Sequence, residues 1–412
     1  MKWFNKNNKF YSIISVFIAT FPIMRPQISA YFIGFWSIYS IYVFFINRNY
    51  SSFKRKDIQN IIGLSLIYII YFLNYLLSEK NEVIIIYLSK CIPILLFPLF
   101  FILNKQNLDR SIIKKALIVF AYSNTLLATT ILIILYSKGI YNLILSDNYY
   151  NPVIRNEFIE ISQTHIPYLG IMFVFSIMIL IKSIFDSFKK KLIVIILNVL
   201  SIFILLFSLV IFSSRIALMS LFICLVFLFF KLLKPKYSIN LVLITITLVS
   251  VLIISIPSSF RRFTEIKSTK LVPPYKGQTS DQANFRYGIY LCDYEILKEN
   301  WIFGIGSENI QNELNECYKS YTYRNYDDYN NITYNSHNQY IDFFIKYGIF
   351  GIFGFILFLF WGIRNNYILY KIFLLIFLIS LLTENILDRQ VGIVFFSYFN
   401  SIFFILKETD SV

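Results

Sequence analysis

Apolar residues run through this chain in long blocks separated by short polar joints. A helix needs about 20 mostly apolar residues to cross a bilayer core, and blocks near that length recur from one end of the sequence to the other. The pattern predicts about twelve transmembrane helices, near residues 10–24, 28–46, 58–77, 83–103, 112–136, 166–185, 191–212, 216–233, 239–256, 338–361, 367–383 and 388–406. The first and the eighth are short. The expected fold class is all-α: a polytopic membrane protein with one long, partly helical outer loop. Pro22, Pro26, Pro93, Pro98 and Pro167 lie in or beside spans, where neighbouring helices can satisfy the backbone groups that proline leaves open.

Two segments break the block pattern. The shorter, Ser137 to His165, is rich in Tyr and Asn. The longer, Pro257 to Ser336, holds nine Lys/Arg and ten Asp/Glu and is nearly neutral, so it is not a polybasic lipid-binding tail. Its aromatics and helical periodicity predict a folded segment rather than a disordered linker. Within it, Phe285, Ile289, Cys292 and Ile296 fall at i, i+4, i+7 and i+11, so Asp281 to Trp301 reads as an amphipathic helix with Arg286, Tyr290 and Asp293 on another face. The organisation is then nine helices over 1–256, an outer loop over 257–336 and three helices over 337–412.

Composition agrees with the pattern. Of 412 residues, 57% are hydrophobic and 15% charged, where a soluble domain carries about a quarter charged residues. Lys2, Lys6 and Lys9 precede an apolar run that leads straight into another, so no cleavable signal peptide is expected. Twenty-one lysines and arginines fall on one face of the predicted topology, and seven fall on the other outside the long loop. The positive-inside rule therefore puts both termini in the cytoplasm and the long loop outside. The net charge of +15 is accounted for by cytoplasmic joints and needs no nucleic-acid partner.

Candidate chemistry gathers on the outer face. The chain has two histidines, and histidine is the side chain whose ordinary pKa suits proton transfer near neutrality. His337 sits where the long loop runs back into an apolar helix, between Ser336 and Asn338, and is the candidate acid/base group. His165, just before Pro167 and Tyr168, is either an interfacial histidine or, with Tyr168, a substrate contact. Arg215 follows Ser213 and Ser214 at an outer boundary. It reads either as a snorkelling anchor or as an anion site, because a guanidinium offers a fixed fork of donors to phosphate oxygens. Arg261, Arg262 and Arg286 lie in the same outward region, and several arginines converging there would suit a diphosphate. Glu384 and Arg389 read as a salt-bridged turn, and Gly304-Ile305-Gly306 as a tight turn.

Cys292 and Cys317 both lie in the long loop. An oxidising compartment would let them pair; the alternative is two free thiols. Four scattered cysteines and two histidines offer no metal-ligand spacing, so neither metal nor cofactor is expected. No P-loop is present, so a donor would have to arrive carrying its own leaving group.

Taken in order, these pieces resemble the O-antigen ligase/polymerase family of bacterial integral-membrane glycosyltransferases. They are Ser213-Ser214-Arg215 at the end of an outer-facing span, a long loop with Arg286 followed by Trp301-Ile302-Phe303-Gly304-Ile305-Gly306, then His337-Asn338 with Tyr340-Ile341 and the Gly348…Gly351 run. The resemblance extends from about residue 165 to 400. One departure is Lys346, where family members often carry an acidic residue. The resemblance implies transfer of a glycan from undecaprenyl diphosphate to an acceptor hydroxyl on the periplasmic face of the bacterial inner membrane, without a metal. It implies that His337 activates the acceptor, that Arg215 and Arg286 hold the diphosphate, and that Asn338 lies among the substrate contacts. The acceptor would be lipid A-core for a ligase, a lipid-linked repeat for a polymerase, or a protein. A lipid-glycan flippase is the reading from another class, but it would favour ionisable residues at the bilayer midplane and repeated halves. Here the spans are nearly charge-free and polar residues gather at one surface.

Overall fold

The computed structural model describes residues 2–47, 53–78, 81–140, 152–186, 192–256, 282–319, 334–361 and 366–409, with residues 260 and 264. Among the described residues the regular structure is entirely helical. In chain order the helices are α1 (Lys2–Phe17), α2 (Pro26–Ile46), α3 (Arg55–Leu64), α4 (Leu66–Leu77), α5 (Asn81–Leu103), α6 (Arg110–Ser137), α7 (Pro152–Ser162), α8 (Ile166–Phe185), α9 (Leu192–Ile211), α10 (Arg215–Leu232), α11 (Pro235–Ser255), α12 (Gln282–Asn300), α13 (Ile310–Lys319), α14 (Gln339–Phe360), α15 (Ile368–Ser380) and α16 (Gln390–Thr409).

Eight of these, α2, α5, α6, α8, α9, α10, α11 and α14, are long and apolar enough to cross a membrane. The sequence reads 58–77 as one span; here it is the pair α3 and α4, bent by 72° at Ser65, which counts as one more span if the pair crosses together. Three shorter apolar helices, Asn8–Ile23, Ile368–Ser380 and Gln390–Leu406, occupy the positions of the first and the last two predicted spans. A total of twelve requires these to cross as well.

The break at Ser65 has a partner in α5. Pro98 has no N–H to offer the carbonyl four residues back, which is that of Ile94. Ser65 Oγ donates to that Ile94 carbonyl at 3.2 Å. The neighbouring helix thus satisfies the acceptor that proline leaves open, as the low-dielectric surroundings require.

The core is built from aromatic side chains of the C-terminal helices set into the N-terminal bundle. Phe395 of α16 stacks on Phe120 of α6 at 5.2 Å, and Phe373 of α15 packs edge-on to Phe395 at 5.6 Å. Ring pairs at such separations add about 0.5–1.5 kcal/mol beyond burial. α16 also lies along α5, where Tyr398 contacts Phe97 and Phe101. This packing fixes the turn between α15 and α16, and that turn carries part of the site.

The amphipathic helix of the long loop forms as its periodicity predicts. Ile289, Cys292 and Ile296 of α12 are buried against Ile310, Leu314 and Tyr318 of α13 in a core of their own. Cys292 and Cys317 form a disulfide across this pair, with Cα atoms 5.7 Å apart. Trp301 to Gly306 then folds onto α14. The amides of Ile305 and Gly306 donate to the carbonyls of Ile345 and Lys346, each at 2.9 Å, and that of Ile349 donates to Trp301 O. α14 is interrupted at this contact by Gly348, at φ 60°. A Cβ there would stand 2.0 Å from the Ile302 carbonyl oxygen, so only glycine fits.

Candidate active site

Six elements converge on a cavity of about 640 Å³. α7 contributes Arg155, and the start of α8 contributes Ile166 and Pro167. The start of α10 contributes Ser214, Arg215, Ile216 and Met219. α12 contributes Phe285, Arg286 and Ile289. Tyr334 and His337 come from the approach to α14, and Thr383 and Glu384 from the turn after α15.

Local chemistry sets each side chain. Arg215 is the first residue of α10, and its approach is tight: Ser213 stands at φ 51°, and Ser214 is the extended N-cap. Arg155 Nη1 donates to the carbonyl of Phe212 at 2.8 Å, tying α7 to this turn. α8 comes close because residue 170 is glycine; a Cβ there would lie 2.7 Å from that of Ala217.

His337 also has left-handed backbone, at φ 45°. A non-glycine residue held there costs on the order of 1–3 kcal/mol, and such strain concentrates at functional sites. The turn is held on both sides. His337 N donates to Asn335 Oδ1 at 3.1 Å, and Asn338 Oδ1 accepts from the amides of Tyr340 and Ile341 at 3.0 and 3.2 Å, capping α14. The imidazole packs beside Tyr334, with ring centroids 5.8 Å apart.

Glu384 joins the charged groups. Oε1 accepts from Arg286 Nη2 at 2.8 Å, and Oε2 lies 3.3 Å from His337 Nδ1. Burial pushes this carboxyl up, but the His337 hydrogen bond and the charges of His337, Arg286 and His165 outweigh it and hold it below the ordinary carboxylate value. With Nδ1 donating to Glu384, Nε2 is left as the proton acceptor. Behind this row, Ser336 Oγ donates at 2.9 Å to Asp293, whose carboxyl is buried and pushed up to about 8 by desolvation, against which the Ser336 bond acts.

Three guanidinium groups and one carboxylate line the cavity, so its field is positive. The N-termini of α8 and α10 open onto it and add partial positive charge where an anion would sit. The remaining wall is apolar: Ile166, Pro167, Ile216, Met219, Phe285 and Ile289. Such a cavity accepts an anionic head with an apolar tail, beside a base.

Of the residues picked out by sequence, His337, Arg215 and Arg286 meet in this cavity. His165 directly precedes the lining residues Ile166 and Pro167. The other candidates are placed differently. Tyr168 is buried, and its hydroxyl donates to the Asn385 carbonyl at 2.8 Å, bracing the turn that carries Glu384. Asn338 spends its side-chain oxygen on the α14 cap. Arg261 and Arg262 lie outside the described residues. Sequence reading pairs Glu384 with Arg389; in the structure Glu384 instead engages Arg286 and His337. Arg155 and Tyr334 are the further site residues. The signal for Arg155 was its place among the few cations on the predicted outer face, and that for Tyr334 was its position three residues before His337.

No curated protein sequence matches the chain. Residues 200–356 match the family model described as O-antigen ligase, a segment that holds Arg215, Arg286 and His337. The match covers 157 of the 412 residues and marks this segment as similar to the O-antigen ligase family.

Proposed function

We propose that the chain transfers a glycan from undecaprenyl diphosphate to a hydroxyl of lipid A-core, on the periplasmic face of the bacterial inner membrane, in lipopolysaccharide biosynthesis. What supports this reading is the cavity in which His337, Arg215 and Arg286 meet. His337 Nε2 takes the proton of the acceptor hydroxyl as that oxygen bonds the anomeric carbon of the glycan. The bond from that carbon to the diphosphate oxygen breaks, and undecaprenyl diphosphate leaves with the electron pair. Arg215 and Arg286 stabilise the charge that develops on it, the kind of interaction that often contributes most to catalysis. Glu384 orients the imidazole and balances the imidazolium. The apolar wall receives the first isoprene units.

The disulfide between Cys292 and Cys317 fits an outer loop in an oxidising compartment. Both termini are then cytoplasmic. The test is deletion of the gene, with complementation by wild type and by His337→Ala, read on a glycolipid gel. Ligation predicts loss of all long-chain lipopolysaccharide while lipid-linked polymer accumulates. Core carrying a single repeat would replace this reading with a polymerase. Full restoration by His337→Ala would overturn the role given to the histidine.

A further inference from the structure

A second charged cluster lies behind the cavity, and the proposed reaction does not use it. Lys346 and Asp342 of α14 are each 1% exposed. Lys346 Nζ lies 2.6 Å from Asp342 Oδ2 and 4.0 Å from Asp388 Oδ1. It also stands over the Tyr87 ring, 5.1 Å from its centroid. A buried ion pair is weak grounds for stability, because desolvation of both charges offsets their attraction. The connections of Asp388 give the cluster another use.

Asp388 Oδ2 accepts from Asn335 Nδ2 at 3.5 Å and from Asn385 Nδ2 at 3.2 Å. Asn335 is the residue whose Oδ1 holds the His337 amide in its left-handed turn. Asn385 directly follows Glu384. Asp388 Oδ1 accepts from Gln339 Nε2 at 3.4 Å, and Gln339 in turn receives the amide of Leu387 at 2.8 Å and donates its own amide to Leu381 at 2.9 Å. The carboxylate of Asp388 is thus braced against both the His337 turn and the Glu384 turn, and Lys346 is the cation that faces it from α14.

We propose that Lys346 and Asp388 form a positioning pair that sets His337 against Glu384. This rests on the proposed function, since it concerns the geometry of the same base. Without the Lys346 charge, Asp342 and Asp388 face each other uncompensated, Asp388 withdraws, and the bonds through Asn335 and Asn385 slacken. The imidazole then loses its alignment while Arg215, held from α10, keeps its place. The loss falls on turnover and not on donor affinity.

The test compares full-length Lys346→Met, Asp388→Asn, Asp342→Asn and His337→Ala in membrane vesicles. The donor is undecaprenyl-diphosphate-linked glycan extracted from cells lacking the chain, with lipid A-core as acceptor. Folded protein is quantified so that kcat is expressed per folded molecule. Lys346→Met and Asp388→Asn are expected to lower kcat by about 10-fold or more, with donor KM within about twofold of wild type. Asp342→Asn is expected to keep kcat, because Lys346 still faces Asp388. A purely structural ion pair predicts the reverse order, with the closer partner Asp342 most damaging and the loss tracking folded protein. Wild-type kcat in Asp388→Asn, or equal losses in Asp342→Asn and Asp388→Asn, would overturn the inference. If Lys346→Met does not fold, the isosteric Asp388→Asn decides alone. An active His337→Ala would sink the reading of the site itself. An inactive His337→Ala beside a fully active Asp388→Asn would sink only the positioning pair.

Discussion

His337 Nδ1 and Glu384 Oε2 lie 3.3 Å apart across 47 residues of sequence, and the other oxygen of the same carboxylate holds Arg286. One acidic side chain thereby fixes the orientation of a base and the position of a cation. Glu384→Gln keeps the shape but removes both effects. Transfer should fall by roughly 10²–10⁴-fold, the range that a positioned base contributes. Wild-type transfer rates in Glu384→Gln would mean that Glu384 neither orients the base nor holds Arg286 for the reaction.

Arg215 and Arg155 act on the same turn from different sides. Arg215→Ala should weaken donor binding by about 10–100-fold, as expected for losing a hydrogen bond to a charged group, worth about 1.5–3 kcal/mol. Arg215→Lys keeps the charge but loses the fork and should lie between Ala and wild type. Arg155→Met frees the Phe212 carbonyl and should weaken donor binding less than Arg215→Ala does. Donor titration against the purified variants separates the three. An Arg215→Ala variant that binds like wild type would make this residue a membrane anchor.

The two findings show what the sequence could and could not reveal. His337, Arg215 and Arg286 were legible because residue type and topological side are local properties. The α12 face was legible for the same reason: its period is written in consecutive residues, and Gln282–Asn300 lies within one residue of the expected ends. The role of Glu384 was not, because it depends on how α15 and α16 turn back over α14. Gly63 stands two residues before the break at Ser65, but one glycine inside an apolar run does not mark a bend; the bond of Ser65 runs to a carbonyl freed by Pro98 on another helix. For Lys346, Asp342 was readable at i−4, whereas Asp388, on a later turn, was not.

The disulfide supplies a stability prediction. Cys292 and Cys317 are 25 residues apart, and closing a loop of that size stabilises by about 3.5 kcal/mol in the chain-entropy model. Cys292→Ser with Cys317→Ser should therefore lower the thermal midpoint of the α12–α13 unit. It should also reduce transfer, because α12 carries Arg286 into the cavity. Reductant should reproduce the shift in wild type and leave the double variant unchanged. A double variant as stable and active as wild type would show that apolar packing of α12 on α13 suffices.

Asp293 gives a pH dependence of opposite sign to that of Glu384. Its folded carboxyl titrates near 8 against an ordinary value of 3.8, so between those limits the folded state holds a proton that the unfolded state has released. Stability then falls as pH rises through this window, at up to about 1.4 kcal/mol per pH unit. Glu384, whose carboxyl is held low, instead contributes stability above its ordinary value of 4.5 that is lost as pH falls through its folded value. Asp293→Asn keeps an oxygen for Ser336 Oγ and cannot ionise. Thermal unfolding in detergent between pH 5 and 8 should show a decline in wild type that flattens in the variant. The variant should be the more stable protein at pH 8. Parallel curves would mean that Asp293 is charged in the folded state and that its partner lies among groups other than Ser336.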